Sequence, residues 1–265
     1  MEKLLTAWDL EPTVIAGGAG LFAGYLLCHT WRGRRAAAFF AGDLMLVLAL
    51  VSPLDVLADN YLFSAHMVQH LMLVLGVPPL LLLGVSESFA RAVVGVPLLG
   101  KGERYLDHPI VAWSLFTATL WVWHLPVLYD ATLASEAVHV FEHLTFLVTA
   151  TVFWWPVLSP LKRSRLSPAP AIAYLFAAAL ANSLLGILLT FARAGLYLPY
   201  LSPPDRYGLA SLLRDSWGLD PATDQQLGGL IMWVLGGLVF LGAILGVVTR
   251  WQHAPEPEEC WSASR

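Results

Sequence analysis

The sequence predicts an all-α, polytopic membrane helix bundle with seven transmembrane helices, N-terminus outside and C-terminus cytoplasmic. Three observations carry this reading. The 265 residues are 57% hydrophobic and only 13% charged, with a mean hydropathy of +0.66. A water-soluble domain carries about a quarter charged residues, so this chain has too little polar surface to cover a globule in water. Seven apolar stretches approach the roughly 20 residues that a bilayer-crossing helix needs. Finally, Lys and Arg collect on alternate connections, as the positive-inside rule requires.

The first stretch runs from Thr13 to His29 and the second from Ala36 to Ser52. The third is Tyr61 to Gly84, the fourth Pro109 to Leu125 and the fifth Val138 to Leu158. The sixth is Ala169 to Phe191 and the seventh Leu227 to Thr249. The first is short and Gly-rich. Its Gly20 and Gly24, like Gly242 and Gly246 in the seventh, have the small-residue spacing that lets membrane helices approach closely. Trp121, Trp123, Trp154 and Trp155 read as interface belts.

Of the 15 Lys and Arg residues, 11 fall on one side. These are Arg32, Arg34, Arg35, Arg91, Lys101, Arg104, Lys162, Arg163, Arg165, Arg250 and Arg265. The other side holds Lys3, Arg193, Arg206 and Arg214, and its short loops carry Asp55, Asp59 and Asp130 but no Lys or Arg. The first side is therefore cytoplasmic. The external connection 193–225, with Tyr197, Tyr200, Pro203, Pro204 and Trp217, is expected to lie along the membrane surface. Residues 1–252 form the transmembrane domain, and the Pro- and Glu-rich 253–265 reads as a disordered cytoplasmic tail. The opening MEKLLTAWDLEP lacks the pattern of a cleaved signal peptide.

The net charge of −4, without basic clusters among aromatics, argues against a nucleic-acid partner. Cys28 and Cys260 are distant and form no CxxC, so neither a disulfide framework nor a thiolate metal site is expected.

The histidines are the informative residues. Five of the eight project onto the external half: His66 and His70 at the start of the third span, His124 at the end of the fourth, and His139 and His143 at the start of the fifth. Both pairs are spaced i, i+4, so each lies on one helix face, about 6 Å apart along the axis. Ionisable groups inside a membrane are costly and mark places where something is paired, hydrated or bound. The set is rich in imidazole and free of thiolate. It suits copper, zinc or the iron of haem, and disfavours the oxygen-seeking magnesium and calcium. Gln69, Glu142, Asp224 and Gln226 are the expected hydrogen-bond partners that decide which ring nitrogen faces an ion. Isolated histidines near helix ends ordinarily bond a backbone carbonyl, and His29, His108 and His253 are read so.

Two other readings compete on the same residues. HVFEH, residues 139–143, matches the H-x-x-E-H pattern of a zinc hydrolase, with Glu142 activating water. Here Glu142 is expected to point off the face shared by the two histidines. Alternatively the histidines serve only as interhelical hydrogen-bonding groups, which glutamine would replace.

The stretches SAHMVQHLMLVLGVPPLLLLG (64–84), WVWHLPVLYD (121–130), VHVFEHLTF (138–146) and DQQLGGLIMWVLGG (224–237) resemble the CtaG family, membrane assembly factors of caa3-type cytochrome c oxidase. The resemblance covers nearly the whole chain. It implies about seven spans in the bacterial cytoplasmic (inner) membrane and a non-enzymatic role in maturing a haem–copper oxidase by handling copper. Its partners would be an oxidase subunit and a periplasmic copper donor. On the matching positions it points to His66, His70, His124, His139, His143, Asp224 and Gln226.

Overall fold

The computed structural model describes residues 2–28, 33–96 and 108–253, and every regular element among them is helical. His29, Arg32, Lys101, Arg104, Cys260 and the 254–265 part of the tail lie outside the described residues. A one-turn α1 (Glu2–Leu5) precedes α2 (Pro12–Cys28), α3 (Gly33–Val51), α4 (Pro53–Asn60) and α5 (Phe63–Gly84). Then follow α6 (Glu87–Val94), α7 (Pro109–Trp123), α8 (Pro126–Ala134), α9 (Glu136–Leu158), α10 (Pro168–Phe191) and α11 (Pro221–Gln252).

Four of these helices, α5, α9, α10 and α11, are each long and apolar enough to cross a membrane. The second and fourth predicted spans correspond to α3 and α7, which reach membrane-crossing length together with the short helices that follow them, α4 and α8, across bends of 46° and 72°; the total is six if each bent pair is one span. The apolar α2, with 17 residues, is shorter than the other candidates. The bends have a local cause. Pro53 and Pro126 open the second helix of each pair, where proline's missing N–H is tolerated but continuation of the preceding helix is not. Ser52 also caps α4, its Oγ accepting from the Leu54 amide at 3.3 Å.

Two widened, π-type turns interrupt the long helices and help join them. In α5 the turn Met72–Gly76 precedes Pro78 and Pro79, neither of which has an N–H to give the Val74 carbonyl. Trp154 of α9 donates its Nε1–H to that carbonyl at 2.9 Å. In α11 the turn Ile231–Leu235 diverts the Gly236 amide to the Ile231 carbonyl, and Asn182 of α10 bonds the bypassed Met232 carbonyl at 2.8 Å. Trp154 and Trp123 are thus core residues rather than the expected interface belts. Trp123 donates to Thr145 Oγ1 at 2.8 Å.

The close helix approach also lies elsewhere than predicted. Gly20, Gly24, Gly242 and Gly246 face open space, with nothing within 4 Å of a built Cβ. One tight crossing is between α10 and α11, where a Cβ on Gly186 would stand 2.7 Å from the Trp233 nitrogen and 2.9 Å from the Gly229 oxygen. Both neighbours are backbone and cannot swing aside. Gly186→Ala is therefore expected to cost about 1–3 kcal/mol of stability, whereas Gly242→Ala is neutral. Thermal unfolding of the two variants in detergent checks the contrast.

One end of the bundle carries the N-termini of α5, α9 and α11, the C-terminus of α7, and the short α4 and α8. The 192–220 connection does more than lie along a surface. Tyr197, Tyr200, Leu209 and Leu213 are buried against this end. Gln225 of α11 holds the start of the connection, accepting from the amides of Gly195 and Leu196 at 3.1 and 3.0 Å.

Candidate metal centre

The first turn of α5 has no side-chain cap of its own. Asp224 of α11 takes that role, accepting from the Phe63 amide at 2.8 Å, the Ser64 amide at 3.1 Å and Ser64 Oγ at 2.5 Å. A carboxylate there satisfies orphan helix amides and complements the helix dipole. It also fixes the rotation of α5, and so the direction in which His66 and His70 project.

His66 is fully buried. Its Nδ1 lies 3.1 Å from Tyr200 Oη, and Tyr200 gives its own proton to the Ala58 carbonyl at 2.6 Å. Nδ1 of His66 is therefore the donor, and Nε2 keeps its lone pair. His70 Nε2 lies 2.8 Å from that lone pair and donates to it, which leaves His70 Nδ1 bare, buried and without a partner. On α9, His139 turns Nδ1 toward Asp59 Oδ2 at 3.5 Å, and its Nε2 is buried without a partner. The His143 ring is partly exposed, yet its Nε2 is buried and equally unpartnered. Glu142 is fully buried, and neither carboxylate oxygen has a hydrogen-bond partner. These oxygens lie 3.7 Å from His70 Nε2 and 3.9 Å from His66 Nε2.

His66, His139, Glu142 and His143 each offer one ligand atom, and these atoms all lie within 4.8 Å of one another. Ligands held about 2.0–2.2 Å from one ion sit roughly 3–4 Å apart, so a contraction on the order of an ångström would complete a shell. The electrostatics favour a cation. Buried polar atoms are nearly always paired, and a buried carboxylate without a partner costs several kcal/mol. Here lone pairs from α5 and α9 converge, and the one N–H among them, on His70 Nε2, is given to His66, which leaves the Glu142 oxygens and the Nε2 atoms of His139 and His143 without a partner. Three imidazoles and one carboxylate suit zinc or copper, and lack the oxygens that calcium or magnesium require.

The structure departs from the sequence expectations at several residues. Glu142 points into the group rather than off its face, because a residue three positions after His139 shares the side carrying the residue four positions after it. Asp224 caps a helix and bonds no histidine. Gln69 donates to Asp55 Oδ1 at 2.6 Å and the Ala49 carbonyl at 2.9 Å, away from the rings. Gln226 is exposed, and its neighbour Gln225 is the buried one. His124 stands beside the group, its ring centroid 5.9 Å from that of His70. His253 bonds its own helix through the Thr249 carbonyl at 2.7 Å, and His108 is exposed.

Sequence reasoning missed Asp59 and Tyr200. Asp59 sits in an apolar stretch on a connection without basic residues, which is a legible signal. Tyr200, 134 positions from His66, had none. Asp59→Asn is expected to weaken divalent-metal affinity about 10- to 100-fold, since carboxylates behind ligating histidines hold the tautomer and raise ligand basicity. Zinc titration of the purified variant measures this.

A cleft of about 470 Å³ opens between α3, α5 and α11, lined by Met45, Met72, Leu75 and Leu238 among others, and no histidine lines it. A second space, at the histidine end, about 10 Å³ and room for one water, is lined by Phe63, Tyr197, Tyr200, Asp224 and Gln225 among others, and no histidine lines it either.

Fold and site together define an all-helical protein with four to six helices of membrane-crossing length, enclosing a buried imidazole–carboxylate group able to hold one metal ion. The profile of the cytochrome c oxidase caa3 assembly factor family matches residues 21–254, and the chain belongs to that family. It is 26% identical to uncharacterised proteins of Mycobacterium bovis and Mycobacterium tuberculosis over 95% of its length, and 24% identical to one of Mycobacterium leprae over 94%. It spans about 40% of the length of each of these relatives. No solved structure matches.

Proposed function

We propose that this chain assists assembly of a caa3-type cytochrome c oxidase by holding copper at His66, His139, Glu142 and His143 and releasing it toward an oxidase subunit. The observation that carries the reading is the convergence of unpartnered, buried nitrogen and carboxylate atoms in a member of an oxidase assembly family. In this reading the chain crosses the bacterial cytoplasmic membrane seven times, with α2 as the first span. The metal end faces outside, where a periplasmic donor meets it. A shell that must contract to close, on helices tied by a loop, suits cargo that is loaded and surrendered better than a permanent structural ion. The chain itself is not a catalyst.

The test uses cells lacking this protein and complemented with wild-type chain or with a His70→Ala, His143→Ala double variant. The readouts are copper in the purified chain and copper-loaded caa3 oxidase in membranes. Wild-type chain should carry copper and restore the oxidase, and the double variant should do neither. Equal copper in both proteins, or full oxidase in the deletion strain, overturns the proposal.

The position of Glu142 favours one second reading. Its carboxylate beside three imidazoles is also what a zinc hydrolase built on HVFEH needs, and a variant at this residue separates the two.

A further inference from the structure

His124 ends α7 with its Nδ1 donating to the Leu120 carbonyl at 2.7 Å. A carbonyl only accepts, so that nitrogen carries the proton and Nε2 of the neutral ring is bare. Nε2 lies 3.4 Å from Met67 Sδ, and a thioether has no proton to give. Two lone-pair donors thus meet where water does not reach, Met67 being 0% and His124 4% exposed. A charged ring would turn the contact into a hydrogen bond, but no carboxylate lies within ion-pair distance of His124 among the described residues. The separation has another explanation. An imidazole nitrogen at about 2.0 Å and a sulfur at about 2.3 Å from a shared ion, at the tetrahedral angle, stand roughly 3.5 Å apart, close to the separation seen here.

The third component is His70. Its ring lies 5.9 Å from that of His124, it is 2% exposed, and its Nδ1 has no partner. We propose that Met67, His124 and His70 form a second metal site that takes a soft monovalent ion, Cu(I) or its analogue Ag(I). One thioether and two imidazoles, without carboxylate, select such an ion over Zn(II). The site adjoins the His66–His139–Glu142–His143 group, because His70 Nε2 is 2.8 Å from His66 Nε2. His70 is therefore the shared border, with one nitrogen for each compartment. This inference deepens the copper-handling reading and rests on it. It assigns the reduced ion to the thioether side and leaves the group containing Glu142 for a divalent ion.

The experiment uses the full chain purified in detergent and loaded anaerobically with Cu(I), in parallel with Zn(II). Copper-edge X-ray absorption reads the neighbours, and competition with a chromophoric Cu(I) chelator reads affinity. Wild-type chain should show a sulfur neighbour at about 2.3 Å. Met67→Leu, which conserves volume, should lose that neighbour and bind Cu(I) about 10-fold more weakly or worse, with Zn(II) affinity unchanged. Met72→Leu, on the apolar cleft, is the control and should match wild type. A sulfur neighbour that persists in Met67→Leu overturns the inference. Wild-type Cu(I) with only nitrogen and oxygen neighbours overturns it too, while leaving the copper-handling proposal intact. A wild-type chain that binds neither Cu(I) nor a divalent ion removes both.

Discussion

Chain carrying His66→Ala is expected to lose tight divalent-metal binding, by more than the 10- to 100-fold that follows from losing an outer hydrogen-bond partner. His66 is the ligand that α5 contributes to a group otherwise drawn from α9, so without it the site no longer joins two helices. Its ring is also the piece most firmly aimed, with Tyr200 on one nitrogen and His70 on the other. Two measurements check this: metal titration, and thermal unfolding with and without metal. Metal at about 100 times its dissociation constant stabilises a wild-type chain by about 2.7 kcal/mol, and this increment should vanish in the variant. The metal-free variant should be destabilised by about 1–3 kcal/mol, because Tyr200 and His70 lose a buried partner. His253→Ala, on an exposed ring at the far end of the bundle, is the matched control. Wild-type affinity in His66→Ala would mean that the group around Glu142 is not where metal sits.

Glu142→Gln has opposite effects on the two states, which makes it the more discriminating variant. In the metal-free chain the glutamate is fully buried and hydrogen-bonded to nothing. Glutamine keeps the shape and removes that burden, so the metal-free protein should gain about 1–3 kcal/mol. In the metal-bound chain the site loses its anionic ligand, and affinity should fall about 100-fold or more, alongside oxidase assembly. A hydrolase predicts another pattern: metal retained, with activity toward its substrate abolished. Tight metal binding that survives Glu142→Gln would therefore remove Glu142 from the ion and favour the hydrolase. A metal-free variant less stable than wild type would show that the imidazoles of His70 and His66, 3.7 and 3.9 Å away, already satisfy the carboxylate.

The helical membrane class was legible because it depends on composition and on segment length, both properties of the chain alone. The i, i+4 histidine pairs were legible for a similar reason: helical periodicity puts His66 beside His70 and His139 beside His143 in any tertiary arrangement. The same periodicity places Glu142 next to them, so its assignment to the outside of the group was an error in applying a local rule. The glycine contacts differ in kind. Spacing marked Gly20–Gly24 and Gly242–Gly246 as close-packing, yet Gly186 and Gly229 make a tight crossing. Spacing states that a surface is small, and only the packing of helices states which small surface meets another.

What the amino-acid order determined by itself was a set of apolar rods, the prolines that bend two of them, and the face of each rod that carries imidazole. These follow from hydrophobicity, backbone hydrogen bonding and a 3.6-residue period, which act over a few turns. Tertiary structure alone decided that α5 and α9 turn those faces toward one another, with Asp224 setting the rotation of one helix from a residue 160 positions away. It also decided that Asp59 and Tyr200 stand behind the rings and that Met67 meets His124. Such partners are chosen by side-chain volume and by the need of every buried donor and acceptor to find a mate. That condition acts across the whole bundle at once, with the atoms of the metal group among its exceptions, and no local stretch encodes it.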